Sequence, residues 1–103
     1  PAATSSKIFV IAEATIYIQA SSNAIGYTWL YRGDSSGTQL NQNNHGSDAG
    51  SGIYTSSNIN FLDSPNTTSA TVYTLVMGRG SGNTTHLETS GYRYSLTAFE
   101  IAA

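Results

Sequence analysis

The chain has 103 residues, no cysteine, a formal net charge of −2 and a charged fraction of only 10%. This length suits one domain, and the four Lys and Arg residues are too few for the basic patch that nucleic-acid phosphates require. The longest apolar run, Ile8 to Ala12, is far too short to span a bilayer. We therefore expect a folded domain that binds no nucleic acid and does not insert into a membrane.

The first strong signal is a two-residue alternation from Lys7 to Ala20. Apolar side chains occupy every second position from Ile8 onward. This period predicts one long half-buried strand, or two strands joined at a bulge near Ala12–Ala14.

A second alternation runs from Ile25 to Arg32. One face of this predicted strand carries Ile25, Tyr27, Trp29 and Tyr31. Aromatic faces are also common in sugar binding, but a regular row favours a core or a subunit interface, and we expect that role here. Gly33–Gly37 then predicts a turn, and Thr38–Leu40 a short return strand.

The segment Asn41–Gly52 contains almost no apolar residue. Its Asn, Gly, Ser and Asp residues are typical of turns, so we predict that it is the longest loop of the domain.

The remaining signals predict further short strands and no helix, because no apolar 3.6-residue period persists over three turns. The predicted strands are Asn58–Leu62, Thr71–Met77, Thr84–Glu88 and Tyr92–Ile101, with a glycine-rich turn at Gly78–Asn83. Short strands separated by turns favour an all-β, single-domain antiparallel β-sandwich over residues 1–103, jelly-roll-like in its connections.

Four segments carry a family resemblance, namely Ser5–Ile8, Leu30–Gly33, Phe61–Tyr73 and Leu96–Ile101. They resemble the C-terminal domains of phage tail-fibre-like proteins, which are frequent in marine and freshwater phages. The resemblance covers nearly the whole chain, and Phe61–Tyr73 is its most specific part. The chain departs from the family over Gly78–Ser90, where family members commonly carry a tyrosine–valine–asparagine strand.

The resemblance implies a virion protein, part of a tail fibre or other extracellular appendage. Many such domains are homotrimeric sandwiches of the complement-C1q or tumour-necrosis-factor type. The resemblance implies three kinds of partner for this chain: further copies of the chain, other virion proteins, and a host cell-surface glycan or protein. Because the chain begins at Pro1 rather than Met, we expect a fragment or a processed product. The resemblance implies that it is the C-terminal domain of a longer fibre protein.

Catalytic, cofactor and metal chemistry are not expected. Gly33–Gly37 superficially resembles the nucleophile segment of trypsin-like proteases, but its composition suits a turn better. Four residues could act as metal ligands, but their spacing is a weak signal for the three or four convergent ligands of a zinc site: His45, Asp48, His86 and Glu88. The carboxylates lie on separate predicted elements, which argues against a glycan-degrading enzyme.

The function that the sequence favours is recognition, because loops on a rigid scaffold usually carry specificity. The candidate ligand-binding residues lie in or beside the predicted Asn41–Gly52 loop and in the Arg79–His86 turn: Asn43, Asn44, His45, Asp48, Tyr54, Arg79, Asn83 and His86. We expect a distal tail-fibre domain that mediates trimerisation and host-glycan recognition. The alternative is a purely structural head-decoration or fibril-forming subunit.

Overall fold

The structure, a computed structural model, describes residues 1–18, 24–47, 53–81, 85–87 and 94–102. These residues form seven strands: β1 (Lys7–Ile18), β2 (Ala24–Arg32), β3 (Thr38–Ser47), β4 (Ile53–Asp63), β5 (Tyr73–Ser81), β6 (Thr85–Leu87) and β7 (Ser95–Ile101). None of the described residues forms a helix of the length and hydropathy that crossing a membrane requires.

The strands form two antiparallel sheets that pack against each other. In sheet A, β1 pairs with β4 on one side and with β6 and β7 on the other. In sheet B, the central β2 pairs with β3 and β5. Most consecutive strands lie in different sheets, whereas β2 and β3 are neighbours in sheet B. The predicted antiparallel sandwich is confirmed.

Strand β1 supplies the largest share of the core. Its side chains at Ile8, Val10, Ala12, Ala14, Ile16 and Ile18 are all buried, as the alternation predicts. The register with β4 runs unbroken from Ile8 opposite Asp63 to Ile18 opposite Ile53. The strand is therefore continuous, without a bulge near Ala12–Ala14.

The face of β2 that carries Thr28 and Leu30 packs on the core, and the face with the aromatic row does not. Thr28 and Leu30 are completely buried, and Leu30 packs with Ile8, Val10 and Ile59. The aromatic row is only half-buried and lies on the outer face of sheet B. Of the two roles predicted for this row, the core is wrong, and the subunit interface stays a prediction. Tyr and Trp need hydrogen-bond partners for their polar ends when buried, and they find them outside.

The segment predicted as a long loop is a strand through residue 47, and that prediction is wrong for Asn41–Ser47. β3 pairs with β2 from Arg32 opposite Thr38 to Ala24 opposite Ser47. Residues 48–52 lie outside the described residues. The glycine-rich turn predicted at Gly78–Asn83 is likewise shorter, because β5 continues to Ser81.

Asparagine side chains explain why such a polar segment forms a strand. Asn41 Nδ2 donates to the backbone oxygen of Asn60 at 3.1 Å, and Asn43 Nδ2 donates to that of Asn58 at 2.8 Å. These two bonds, the asparagine seam, join the edge of sheet B to the edge of sheet A. They satisfy β4 carbonyls that no strand pairs within the described part of the chain.

A partly buried ion pair closes one end of the sandwich. Arg32 of β2 donates to both carboxylate oxygens of Asp63 at 2.7 and 2.8 Å, and the Tyr73 hydroxyl donates to Asp63 at 2.9 Å. Burial works to raise the pKa of Asp63, but these donors outweigh it and hold that pKa below its ordinary value. Asp63 is 1% exposed and links both sheets.

Replacing Asp63 by Asn should destabilise the fold strongly. The change leaves the Arg32 guanidinium without its counter-charge. Loss of one partner from a fully buried pair costs about 3–5 kcal/mol, and the partial exposure of Arg32 reduces this cost. A carboxyl whose folded pKa is lowered stabilises the fold above about pH 4, and this contribution is lost as the pH falls through the folded pKa. Urea unfolding at several pH values would measure both effects.

Asp34→Asn is the matched control, because Asp34 is exposed in the β2–β3 turn and accepts only local bonds from Ser36. It should change the free energy of unfolding by less than about 0.5 kcal/mol. Equal losses in the two variants would contradict a structural role for the Arg32–Asp63 pair.

Candidate ligand-binding surface

The candidate residues whose side chains the structure describes, Asn43, Asn44, His45 and Tyr54, do not converge on one surface. Asn43, Asn44 and His45 lie on β3, Tyr54 on β4, Arg79 on β5 and His86 on β6. Asp48 and Asn83 lie outside the described residues. The part played by these residues in binding stays a prediction, but those on β3 are strand residues rather than loop residues.

Two of the β3 candidates point between the sheets and serve the fold. Asn43 belongs to the asparagine seam. His45 Nε2 lies 3.4 Å from the Thr28 hydroxyl, which in turn bonds the Ser57 hydroxyl at 2.7 Å. Burial lowers the pKa of His45, so the imidazole is held in its neutral form.

Tyr54 and Asn44 lie on opposite outer faces of the sandwich. Tyr54 is 56% exposed on sheet A, where its ring is 4.8 Å from that of Tyr17 at the facing register position. Asn44 lies on sheet B, opposite Tyr27. These two candidates therefore cannot contact the same small ligand.

The outer face of sheet B carries the most distinctive arrangement of side chains. Tyr27, Trp29 and Tyr31 lie along β2 at every second residue, and we call them the aromatic platform. The rings of Tyr27 and Trp29 are stacked, with centroids 5.4 Å apart and an interplanar angle of 20°. All three side chains are partly exposed.

A row of amides on β3, the amide row, borders the platform. It consists of Gln39, Gln42 and Asn44, which lie opposite Tyr31, Trp29 and Tyr27. Gln42 Oε1 accepts from the indole Nε1 of Trp29 at 2.8 Å and from Gln39 Nε2 at 3.3 Å. Gln42 Nε2 donates to Asn44 Oδ1 at 2.7 Å. This connected set fixes the orientation of the indole.

A bulge places all three amides on the same face. The register between β2 and β3 shifts between Leu30 and Tyr31, so that Leu40 is the additional residue on β3. Leu40 packs against the core, while Gln39 joins Gln42 on the outer side. Bulges commonly redirect side chains in this way next to functional sites.

Gly78 on β5 makes room for the indole. A Cβ atom at this position would lie 2.5 and 2.6 Å from the Cζ3 and Cη2 atoms of Trp29. Gly78 pairs with Tyr27, and the next outward position, Val76, pairs with Trp29. The indole thus lies across β5, and only glycine permits this approach.

The platform and its amide row have the chemistry of a carbohydrate site. Flat aromatic faces stack on the C–H faces of sugar rings, and primary amides offer both donors and acceptors to sugar hydroxyls. None of the six side chains is charged. Within the described residues, no group of three or more metal-ligating side chains occurs.

No protein-family model, curated protein or solved structure matches this chain. The resemblance to phage tail-fibre domains therefore stays a prediction.

The sequence pattern identifies the aromatic row of β2 but predicts a core or interface role for it. Of the amide row, it identifies only Asn44 as a candidate. One sequence signal was available. Gly26, Thr28 and Leu30 include no large polar group and suit the narrow space between two sheets, whereas Tyr27 and Trp29 each carry one. The register shift that brings Gln39 to this face has no sequence signature.

Replacing Gly78 by Ala should displace the Trp29 indole. The new methyl would overlap the ring, so the hydrogen bond to Gln42 should break while the fold persists. Because Trp29 is the sole tryptophan, its fluorescence reports the change directly. We expect a red-shifted emission maximum in G78A and an unchanged one in S56A, a strand-face control on sheet A. Unchanged emission in G78A would contradict the close contact.

Protonation of His45 should destabilise the fold. The pKa of His45 is lower in the folded chain than in the unfolded chain. The contribution of the neutral imidazole to the free energy of unfolding is therefore fully present above about pH 6.5, and it is lost as the pH falls from there toward the folded pKa. We expect the urea midpoint to decrease as the pH is lowered from about 7 to about 5. In His45→Gln this decrease should be absent. His86→Gln, at the other histidine, should retain it. The same pH dependence in H45Q and the parent would refute the assignment.

Proposed function

We propose that this domain is a recognition module that binds a glycan chain across the aromatic platform on sheet B. The observation that carries the proposal is the fixed Trp29 indole, which stacks on Tyr27, bonds Gln42 and lies over Gly78. Side chains held in place before binding lose little conformational entropy when the ligand arrives.

The spacing of the platform favours an oligosaccharide over a single sugar. Alternate strand residues are about 7 Å apart, so Tyr27 and Tyr31 are separated by roughly 14 Å along β2. A ligand that contacts all three rings must be longer than one pyranose. The open face of a sheet also suits an extended chain better than a closed pocket does.

The absence of charge on the platform favours a neutral glycan. Its three aromatic and three amide side chains offer no cation to a uronate, sulfate or sialate group. The net charge of −2 adds no attraction for an acidic polymer. Hydrogen bonding and stacking would therefore supply both affinity and selectivity.

This proposal keeps the function that the sequence favours and moves its site from loops to a sheet face. On the tip of a phage fibre, as the resemblance implies, the module would meet host-surface glycans, and repeated copies would raise a weak affinity by avidity. The virion location, the homotrimer and the contacts with other virion proteins stay predictions. The proposed action is binding without turnover.

The test compares Tyr27→Ala with Tyr54→Ala on a printed array of neutral oligosaccharides. Both remove an exposed tyrosine ring, but only Tyr27 belongs to the platform. We expect the parent and Y54A to bind the same glycans, and Y27A to lose at least about tenfold in affinity, equivalent to roughly 1.4 kcal/mol. Titration with the best array ligand should change the Trp29 emission of the parent.

Two outcomes would overturn the platform as the site. One is array binding that Y54A loses and Y27A keeps. The other is binding without any effect on Trp29 emission in the parent. If the parent binds no neutral glycan, the platform proposal is overturned and the purely structural role gains support.

A further inference from the structure

The two borders of the aromatic platform differ in their chemistry. On one side lies the amide row of β3. On the other side lies β5, and we call its three residues that pair with Tyr31, Trp29 and Tyr27 the β5 border. These residues are Thr74, Val76 and Gly78. A ligand that crosses the platform therefore has amides along one edge and a different set of side chains along the other.

The β5 border has little to offer a sugar hydroxyl. The Thr74 hydroxyl already donates to the backbone oxygen of Gly33 at 2.7 Å. Val76 is aliphatic and partly exposed, and Gly78 has no side chain. Beside the indole of Trp29, this border thus presents methyl groups and no polar side-chain atom.

The amide row keeps a donor for a ligand. The amide nitrogen of Gln42 carries two hydrogens, and the bond from Nε2 to Asn44 Oδ1 uses one of them. The bonds of Gln42 Oε1 to Trp29 and Gln39 hold this amide in one orientation. The remaining hydrogen is therefore a fixed donor at the β3 edge of the platform.

The Trp29 indole extends from one border to the other. Its Nε1 atom bonds Gln42 on β3, whereas Cζ3 and Cη2, on the opposite edge of the ring system, lie over Gly78 of β5. A sugar ring stacked on this indole has one edge beside the amide row. Its opposite edge lies beside β5, where Val76 is the residue paired with Trp29.

This asymmetry selects for a sugar with one polar edge and one apolar edge. A hydroxyl placed against Val76 would lose its water without gaining a hydrogen bond. A methyl group at the same place would bury apolar area instead. In a hexopyranose, C6 is the carbon that projects beyond the ring, so the loss of its oxygen turns that edge into a methyl group.

We infer that Val76 is a specificity-determining residue and that the bound glycan carries a 6-deoxyhexose, whose methyl group packs on Val76. Hydroxyls on the opposite edge of the same sugar accept from Gln42. The inference rests on the proposed function, since it names the kind of neutral glycan that the platform selects. It also explains why a polar border and an aliphatic border lie on either side of one indole.

Matched oligosaccharides test the preference, with affinity measured by titration of the Trp29 emission. D-Rhamnose is 6-deoxy-D-mannose, so oligosaccharides of these two sugars with the same linkage and length differ only at C6. L-Fucose and L-galactose oligosaccharides provide a second pair of different stereochemistry. We expect the parent to bind the 6-deoxy member of at least one pair about fivefold or more tightly than its 6-hydroxy counterpart.

Val76→Thr replaces one methyl group by a hydroxyl at nearly constant volume, and threonine suits a strand, so the fold should persist. We expect the 6-deoxy preference to fall to about twofold or less, because the hydroxyl can bond the 6-hydroxy sugar. Val72→Thr is the matched control. Val72 is 64% exposed and lies outside β5, so this variant should keep the preference of the parent.

The outcomes separate this inference from the proposed function. Neutral glycans that bind the parent but not Y27A, with no 6-deoxy preference in either pair, overturn the inference alone. A preference that V76T retains does the same, as do array ligands that contain no 6-deoxyhexose. A parent chain that binds no neutral glycan overturns the proposed function and this inference together.

Discussion

The burial of Thr28 and Leu30 determines what the rest of sheet B presents to solvent. Leu30 packs in the core with Val10 and Ile59, and Thr28 bonds Ser57 across the two sheets. Since side chains alternate along a strand, this choice forces Tyr27 and Trp29 outward. A slip of one residue would bury two large polar aromatics and expose an aliphatic core residue. The platform is therefore a consequence of how the core is packed.

The asparagine seam provides the second constraint, because it holds β3 in the position that the amide row needs. A strand of Asn and Gln residues has little apolar area to bury, and its pairing with β2 alone would leave it weakly fixed. Side-chain bonds from Asn41 and Asn43 to β4 carbonyls replace that missing contribution. The inward residues of β3 thus hold the strand, while the outward residues Gln42 and Asn44 border the aromatic rings.

The sequence alone predicts the sandwich and most of its strands, because the alternation in β1 is long and its apolar residues are strongly β-branched. It fails at β3, where polar composition indicates a loop and the stabilising bonds come from residues about 15–19 positions away. It also fails to orient β2, since both of its faces are compatible with burial. Orientation there depends on contacts with β1 and β4, which local pattern does not contain.

The two outer faces of the sandwich differ in the chemistry of their side chains. On sheet B every large ring has a polar partner or a stacked neighbour, so its surface is ordered before any ligand arrives. On sheet A, Phe9 lies between Leu62 and Phe99, whereas the next outward residue of β1, Ile11, lies between Asn60 and Thr97. Over the row that contains Phe9, a glycan would lose water from its hydroxyls without finding donors or acceptors. One small fold without disulfides thus carries two chemically distinct faces, and mutations on one should leave the other unaffected.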